Sequence, residues 1–328
     1  MSLSLSAAPP ATKFPVPDWA FLGLIVALGA ALSYASRAFP ASMPIYAPFE
    51  FSWSEYLATV CAAWFYWRGV SRMAASDRPN RWRQFAFAAG LSLIYGVLQT
   101  RYDYMAQHMF FLNRFQHLVM HHLGPFLIAL AWPGTALARG LPPTLHRLIR
   151  TRPVQRATWL LQNPLLSGVL FVGIIDIWLY PPINFRAMID PRLYTFMNWT
   201  MVIDGIFFWC FVLDPRESPP ARHGFGLRLL TLILVMFPQI AVGSYLTFAK
   251  HDLYAFYAVC GRLYPSISPL TDQAYGGLMV WIPASMMSAV AFLLALNNLR
   301  LAEDRRPPED MTEAERAMAE LSRRWTGR

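Results

Sequence analysis

Charge is scarce in this chain. Asp, Glu, Lys and Arg make up 14% of 328 residues, against 55% hydrophobic and 15% aromatic residues. An ordinary soluble domain carries about a quarter charged residues, so that class is excluded. Cysteine is scarcer still. Cys61, Cys210 and Cys260 form no CxxC and no evident pair, so no disulfide framework is implied, and without CxxCH there is no c-type haem attachment. The chain also lacks a Walker loop, a GxGxxG after a strand, an HExxH and a GxSxG, which removes the familiar phosphate, dinucleotide, zinc-protease and esterase machinery. No internal repeat or pair of interrupted helices suggests the inverted repeats of many transporters.

What the chain has instead is long apolar runs. A membrane span needs about 20 mostly apolar residues, because the hydrocarbon core is about 30 Å thick and offers the backbone no water. Stretches near 18–36, 54–70, 84–100, 106–132, 157–180, 193–213, 225–248 and 272–297 qualify. The expected fold is all-α: a polytopic integral membrane helix bundle of about eight transmembrane helices, or seven if the first is a cleaved signal peptide. Only Lys13 charges the leader positively, which favours an uncleaved helix. Residues 1–52 form an N-terminal segment with the extra first span, 53–300 a transmembrane helical domain, and 301–328 a charged tail expected to form a short helix outside the bilayer.

The net charge of +9 marks topology, not a nucleic-acid partner. Arg68, Arg72, Arg78, Arg81 and Arg83 follow the second stretch. Arg139, Arg147, Arg150, Arg152 and Arg156 follow the fourth, with no acid between Pro133 and Arg156. By the positive-inside rule these loops are cytoplasmic. Loops near Arg186–Arg192 and Lys250–Arg262 have nearly balanced charge and face outward, leaving the C-terminus in the cytoplasm.

Ionisable groups are costly in hydrocarbon, so those within spans should face a protein interior or a cavity. In MFFLNRFQHLVMHHLGPFLIALAWPG, Met109–Gly134, an α-helical wheel gathers Asn113, His117, Met120, His121 and Gly124 on one face, with His122 and His108 on a neighbouring one. Histidines at i and i+4 can share a metal, and the Met120 thioether suits Cu(I). The same spacing equally allows interhelical hydrogen bonds, the commoner use of a buried imidazole. Axial ligation of a haem is a third reading, without a second histidine-bearing span to support it. Asp272, followed by Gln273, opens the last span at its outer end. There it either caps its own helix or turns toward the histidines. Asp176 and Asp204 lie in the fifth and sixth stretches, suited to structural pairing or a direct role. The methionines, among them Met105, Met109, Met188, Met197 and Met201, form no MxxM array and read mainly as packing.

PLTDQAYGGLMVWIP, Pro269–Pro283, is similar to a family pattern of Asp-Gln, a glycine pair and Met/Ile-x-Trp opening a last span. QHLVMHHLGPFLIALAWP, Gln116–Pro133, is similar to the same family's histidine-bearing helix. Trp178-x-x-Pro181, Gly205 with Trp209, and Pro238 with Gly243 fall at family-like positions. Over roughly Trp53 to Asn298 the chain thus resembles CtaG, the multi-span bacterial membrane family required to assemble the copper centres of cytochrome c oxidase. The resemblance implies a non-enzymatic assembly factor of the bacterial inner membrane. Its partners would be the bilayer and a haem–copper oxidase membrane subunit, and its metal copper, as Cu(I).

His117, His121, His122 and Asp272 are the metal candidates, with His108, Asn113, Met120, Asp176, Asp204 and Gln273 as further polar groups. Aligned through Pro125, His117 matches a family histidine, whereas Asn113, Leu179 and Asn198 stand where the family has histidines. A metal-independent chaperone for the oxidase subunit and a metal or small-solute channel are the alternatives.

Overall fold

Proline and capping side chains punctuate the chain. Pro143, Pro164, Pro181, Pro191 and Pro269 each open a helix, where a missing N–H is harmless. Asn80, Thr100, Asn163, Asp190 and Ser268 accept from backbone N–H groups of the helices they precede. The computed structural model describes residues 16–259, 261–305 and 312–326, and among them no strand occurs. Lys13 and Cys260 lie outside the described residues.

The helices run in chain order: α1 Val16–Ala38, α2 Trp53–Ser71, α3 Arg81–Gln99, α4 Arg101–Ala106 and α5 Phe110–His117, then a π-helical segment Leu118–Leu123 and α6 Gly124–Ala131. There follow α7 Gly134–Gly140, α8 Pro143–Ile149, α9 Arg152–Leu161, α10 Pro164–Leu179, α11 Pro181–Ile189, α12 Pro191–Val212 and α13 Phe225–Phe248. The last are α14 Phe256–Val259, α15 Pro269–Glu303 and α16 Glu313–Thr326, the last of these a helix in the charged tail.

Four helical segments among the described residues are long and apolar enough to cross a membrane: 18–38 within α1, α12, α13 and α15. The bent pair α9–α10 raises the number to five. The chain is therefore an all-helical membrane protein, but the expected eight spans do not all meet this criterion. Four departures have local causes. Tryptophan and tyrosine dilute the apolar content of α2, and Arg81, Arg83, Gln84 and Gln99 that of α3. The stretch 106–132 is divided into α5, the π segment and α6. The stretch 157–180 breaks before Pro164, where Asn163 caps α10 and turns it 77° from α9.

The first helix is fastened to the second. Tyr56 donates its hydroxyl to the Ile25 carbonyl at 2.9 Å, and Arg68 pairs with Asp18 at 2.7 Å. The closest long pairing is α13 with α15, where a Cβ on Gly277 would stand 2.6 Å from the Thr247 nitrogen. Only a residue without a side chain allows that approach. Two apolar clusters fill the interior. One gathers Phe87, Phe110, Met120, Met197, Met201 and Tyr254, the other Phe126, Phe171, Phe208, Trp209 and Leu232.

Candidate functional site

The helix that carries the histidines begins without a cap of its own. Met109 precedes α5 and offers no side-chain acceptor, so the first free N–H groups need another partner. Asp272 supplies it from α15. One carboxylate oxygen accepts from Phe110 N at 3.0 Å and the other from Phe111 N at 2.8 Å, while Arg262 Nη2 closes on the first at 2.7 Å. Its own helix is capped by Ser268 instead, whose Oγ accepts from Thr271 N at 3.2 Å. Asp272 thus turns toward the histidine helix, as one sequence reading expected, but engages its backbone and not its imidazoles. Gln273 continues the join, accepting from Leu253 N at 2.8 Å and donating to the His251 carbonyl at 3.2 Å.

Two turns further on, the helical ladder changes register. From Leu118 to Leu123 the chain is π-helical, and Gly124 N–H reaches back to the Val119 carbonyl. Such segments are rare and concentrate at functional sites. Pro125 has no N–H with which to complete the α-pattern bond to the His121 carbonyl. That carbonyl accepts from the Trp209 indole N–H of α12 at 3.2 Å. Gly205, one turn before Trp209, lets α12 come this close, because a Cβ there would sit 2.3 Å from the same oxygen. Asp204, its neighbour, meets His121 Nε2 at 3.0 Å.

His121 is therefore held from several sides. Its ring stacks on Phe171 at 4.4 Å between centroids, and Phe171 stacks on Phe208 at 3.6 Å. The His122 ring stands edge-on to Phe171 at 4.9 Å and near Trp209 at 6.1 Å. His117 differs: it is buried, and neither ring nitrogen has a hydrogen-bond partner among the described residues. Nδ1 of His121 and Nδ1 of His122 are likewise without one.

The other expected positions separate. Asn113 and Met120 are buried beside the histidines, and the Asn113 side-chain oxygen accepts from Arg114. His108 lies apart, between α4 and α5, with Nδ1 2.8 Å from the Tyr104 carbonyl. Asp176 is half-buried on α10, away from these contacts. Leu179 contributes its carbonyl to Tyr254 OH at 2.7 Å. Asn198 is buried and interacts with Glu55. Among the described residues no group of three His, Cys, Asp or Glu side chains is placed to hold a metal ion.

Sequence reasoning passed over several residues that the fold brings in. Arg114 is buried three positions before His117, its guanidinium 5.1 Å over the Phe110 ring. A second polar knot joins Asp103, Gln116 and Tyr194. One Asp103 oxygen accepts from Gln116 Nε2 at 2.6 Å and from Tyr194 OH at 2.7 Å. Arg114 was visible as a charge inside an apolar run. Asp103 fell between two expected spans, and Tyr194 counted as aromatic, so nothing local marked them as partners.

Comparisons with curated proteins and with solved structures returned no match. A family model described as cytochrome c oxidase caa3 assembly factor matches residues 64–300, a stretch that holds the histidine segment, the whole of α12 and Asp272. Covering well over half of the chain, that match establishes that the protein belongs to the cytochrome c oxidase caa3 assembly factor family, Caa3_CtaG.

Proposed function

We propose that the protein aids formation of a copper centre in the membrane subunit of a haem–copper oxidase, acting without catalysis of its own. It would lie in a bacterial cytoplasmic membrane, crossing it eight times with the C-terminus inside. The arginine-rich connections after α2 and α7 support that orientation. The docking of α1 on α2 supports keeping the first helix as a span.

The observation that carries the copper reading is His117. A buried imidazole with both nitrogens unpartnered is expensive, and a metal ion would satisfy one of them. His121 lies one turn on with Nδ1 open, and Met120 between them is buried with its thioether. Imidazole and thioether together suit Cu(I). Copper in this reading is cargo, held by few donors and released to the client. The test is copper per chain after purification under reducing conditions, with His117→Leu as the comparison. Bound copper that falls in the variant supports delivery, whereas a copper-free chain that still supports oxidase assembly removes it.

A second reading, a metal-independent chaperone for the oxidase subunit, is favoured by two observations. No three-donor group is present among the described residues, and Arg114 places a fixed positive charge near His117, which opposes a cation. In that reading the histidines pack α5, the π segment and α12 together. Substitution of His117 would then lower stability and assembly in proportion.

A further inference from the structure

Where α2 and α6 end and α3 begins, a cavity of about 280 Å³ opens between them, lined in part by Asp77, Arg78, Arg83, Trp132, Thr135 and Arg139. Its volume is close to the lower end of the small-ligand range. Three arginines and one acid are among its lining residues. That carboxylate is only loosely engaged, with Asp77 3.8 Å from Arg139. Arg78 donates Nε to the Met73 carbonyl at 3.2 Å, which fixes its stem and leaves the terminal amines free to point elsewhere. Arg83 has no ion pair among the described residues, and the ring of Trp132 forms a wall with Arg216 5.1 Å over its centroid.

We infer that this cavity binds the phosphate of an anionic phospholipid headgroup. Arginines recognise phosphate oxygens by paired, charge-assisted N–H donors, and three of them line this cavity. The positive excess disfavours a zwitterionic headgroup, since Asp77 is the sole lining acid and is shared with Arg139. Location distinguishes a lipid from a free anion. The cavity sits at the ends of three helices, and beside it Trp82 and Phe85 are exposed at the start of α3, with ring centroids 5.6 Å apart. Acyl chains can follow that apolar flank while the headgroup enters the cavity. Basic pockets between membrane helices take anionic headgroups on this chemistry, and tryptophan favours the same depth. In the orientation proposed above, the lipid comes from the cytoplasmic leaflet.

The test uses the full chain, delipidated in detergent and titrated with phosphatidylglycerol or phosphatidylcholine of matched acyl chains, with bound lipid counted by native mass spectrometry. Phosphatidylglycerol should bind in preference. The triple variant Arg78→Gln, Arg83→Gln, Arg139→Gln should lose that affinity by about fivefold for each arginine removed. Thr135→Trp, which fills the cavity and keeps every charge, should lose it as well, and carries the test if the triple variant does not fold. Arg147→Gln with Arg150→Gln, charges outside the cavity, should leave it intact. Equal binding of the two lipids would overturn the inference. So would a preference that survives in Thr135→Trp or that falls equally in the outside control. Displacement of phosphatidylglycerol by inorganic phosphate at the same concentration would show a free-anion site and overturn the lipid assignment.

Discussion

The carboxylate of Asp272 and the backbone N–H of Phe110 meet at 3.0 Å although 162 residues separate them. A helix start is normally capped from within its own segment, yet here the acceptor comes from the last long helix of the bundle. The first turn of α5 thus takes its capping acceptor from α15.

That dependence predicts a graded series. Asp272→Ala removes the acceptor of two N–H groups and strands Arg262, and should destabilise the protein by more than the ~1 kcal/mol of an ordinary cap. Asp272→Asn keeps one oxygen and should fall between. Thermal unfolding in detergent micelles gives the ranking. Equal melting of the alanine variant and the parent would mean that α5 starts without this support.

Gly205→Ala tests the approach of α12 to the π segment. The new Cβ would collide with the His121 carbonyl, so α12 must retreat, at a cost of about 1–3 kcal/mol. Trp209→Phe keeps the ring but loses the indole donor, and should cost about 1 kcal/mol or more because the carbonyl is buried. The two losses should not add, since both break the same contact. A double variant with the full sum of the two would contradict a shared contact.

For the copper reading, His117→Leu and His121→Leu keep most of the side-chain volume and remove the donors. Membranes containing either variant at normal abundance should yield oxidase depleted in copper, with the double variant no worse than the more severe single. Normal copper in oxidase from the double variant would exclude both histidines from delivery.

Topology can be read with reporter fusions. Fusions at Arg150 and at the C-terminus should report the cytoplasm, and one at Arg262 the outer side. A cytoplasmic signal at Arg262 would reverse the orientation of the last two crossings and defeat the eight-span arrangement.

Much of this was legible in the linear chain, and the failures are instructive. The apolar runs located helices because burial in hydrocarbon demands length and low charge. Their integrity was harder to see. Nothing in LVMHHL marks it as π-helical, and one extra residue in that turn shifts every later position relative to an α-helical wheel. The face drawn through Asn113, His117, His121 and Gly124 therefore does not continue across it unchanged. Asn163-Pro164 did carry a legible break, but the surrounding apolar residues masked it. Asp204 and Asp272 stood out as charges in apolar runs, whereas Asp103 did not. Their partners, a backbone turn for Asp272, an imidazole for Asp204 and a tyrosine with a glutamine for Asp103, lie on other helices, and that pairing is tertiary information.

The contacts of Asp204, Gly205 and Trp209 all converge on one residue, His121, through its ring and its carbonyl. A gap left in one helix by a proline has become an address that only one stretch of another helix can answer. Sliding α12 by a single position would forfeit a hydrogen-bonding oxygen, a vacant space and a donor at the same moment. The alignment of the two helices is therefore set jointly by three contacts on one residue.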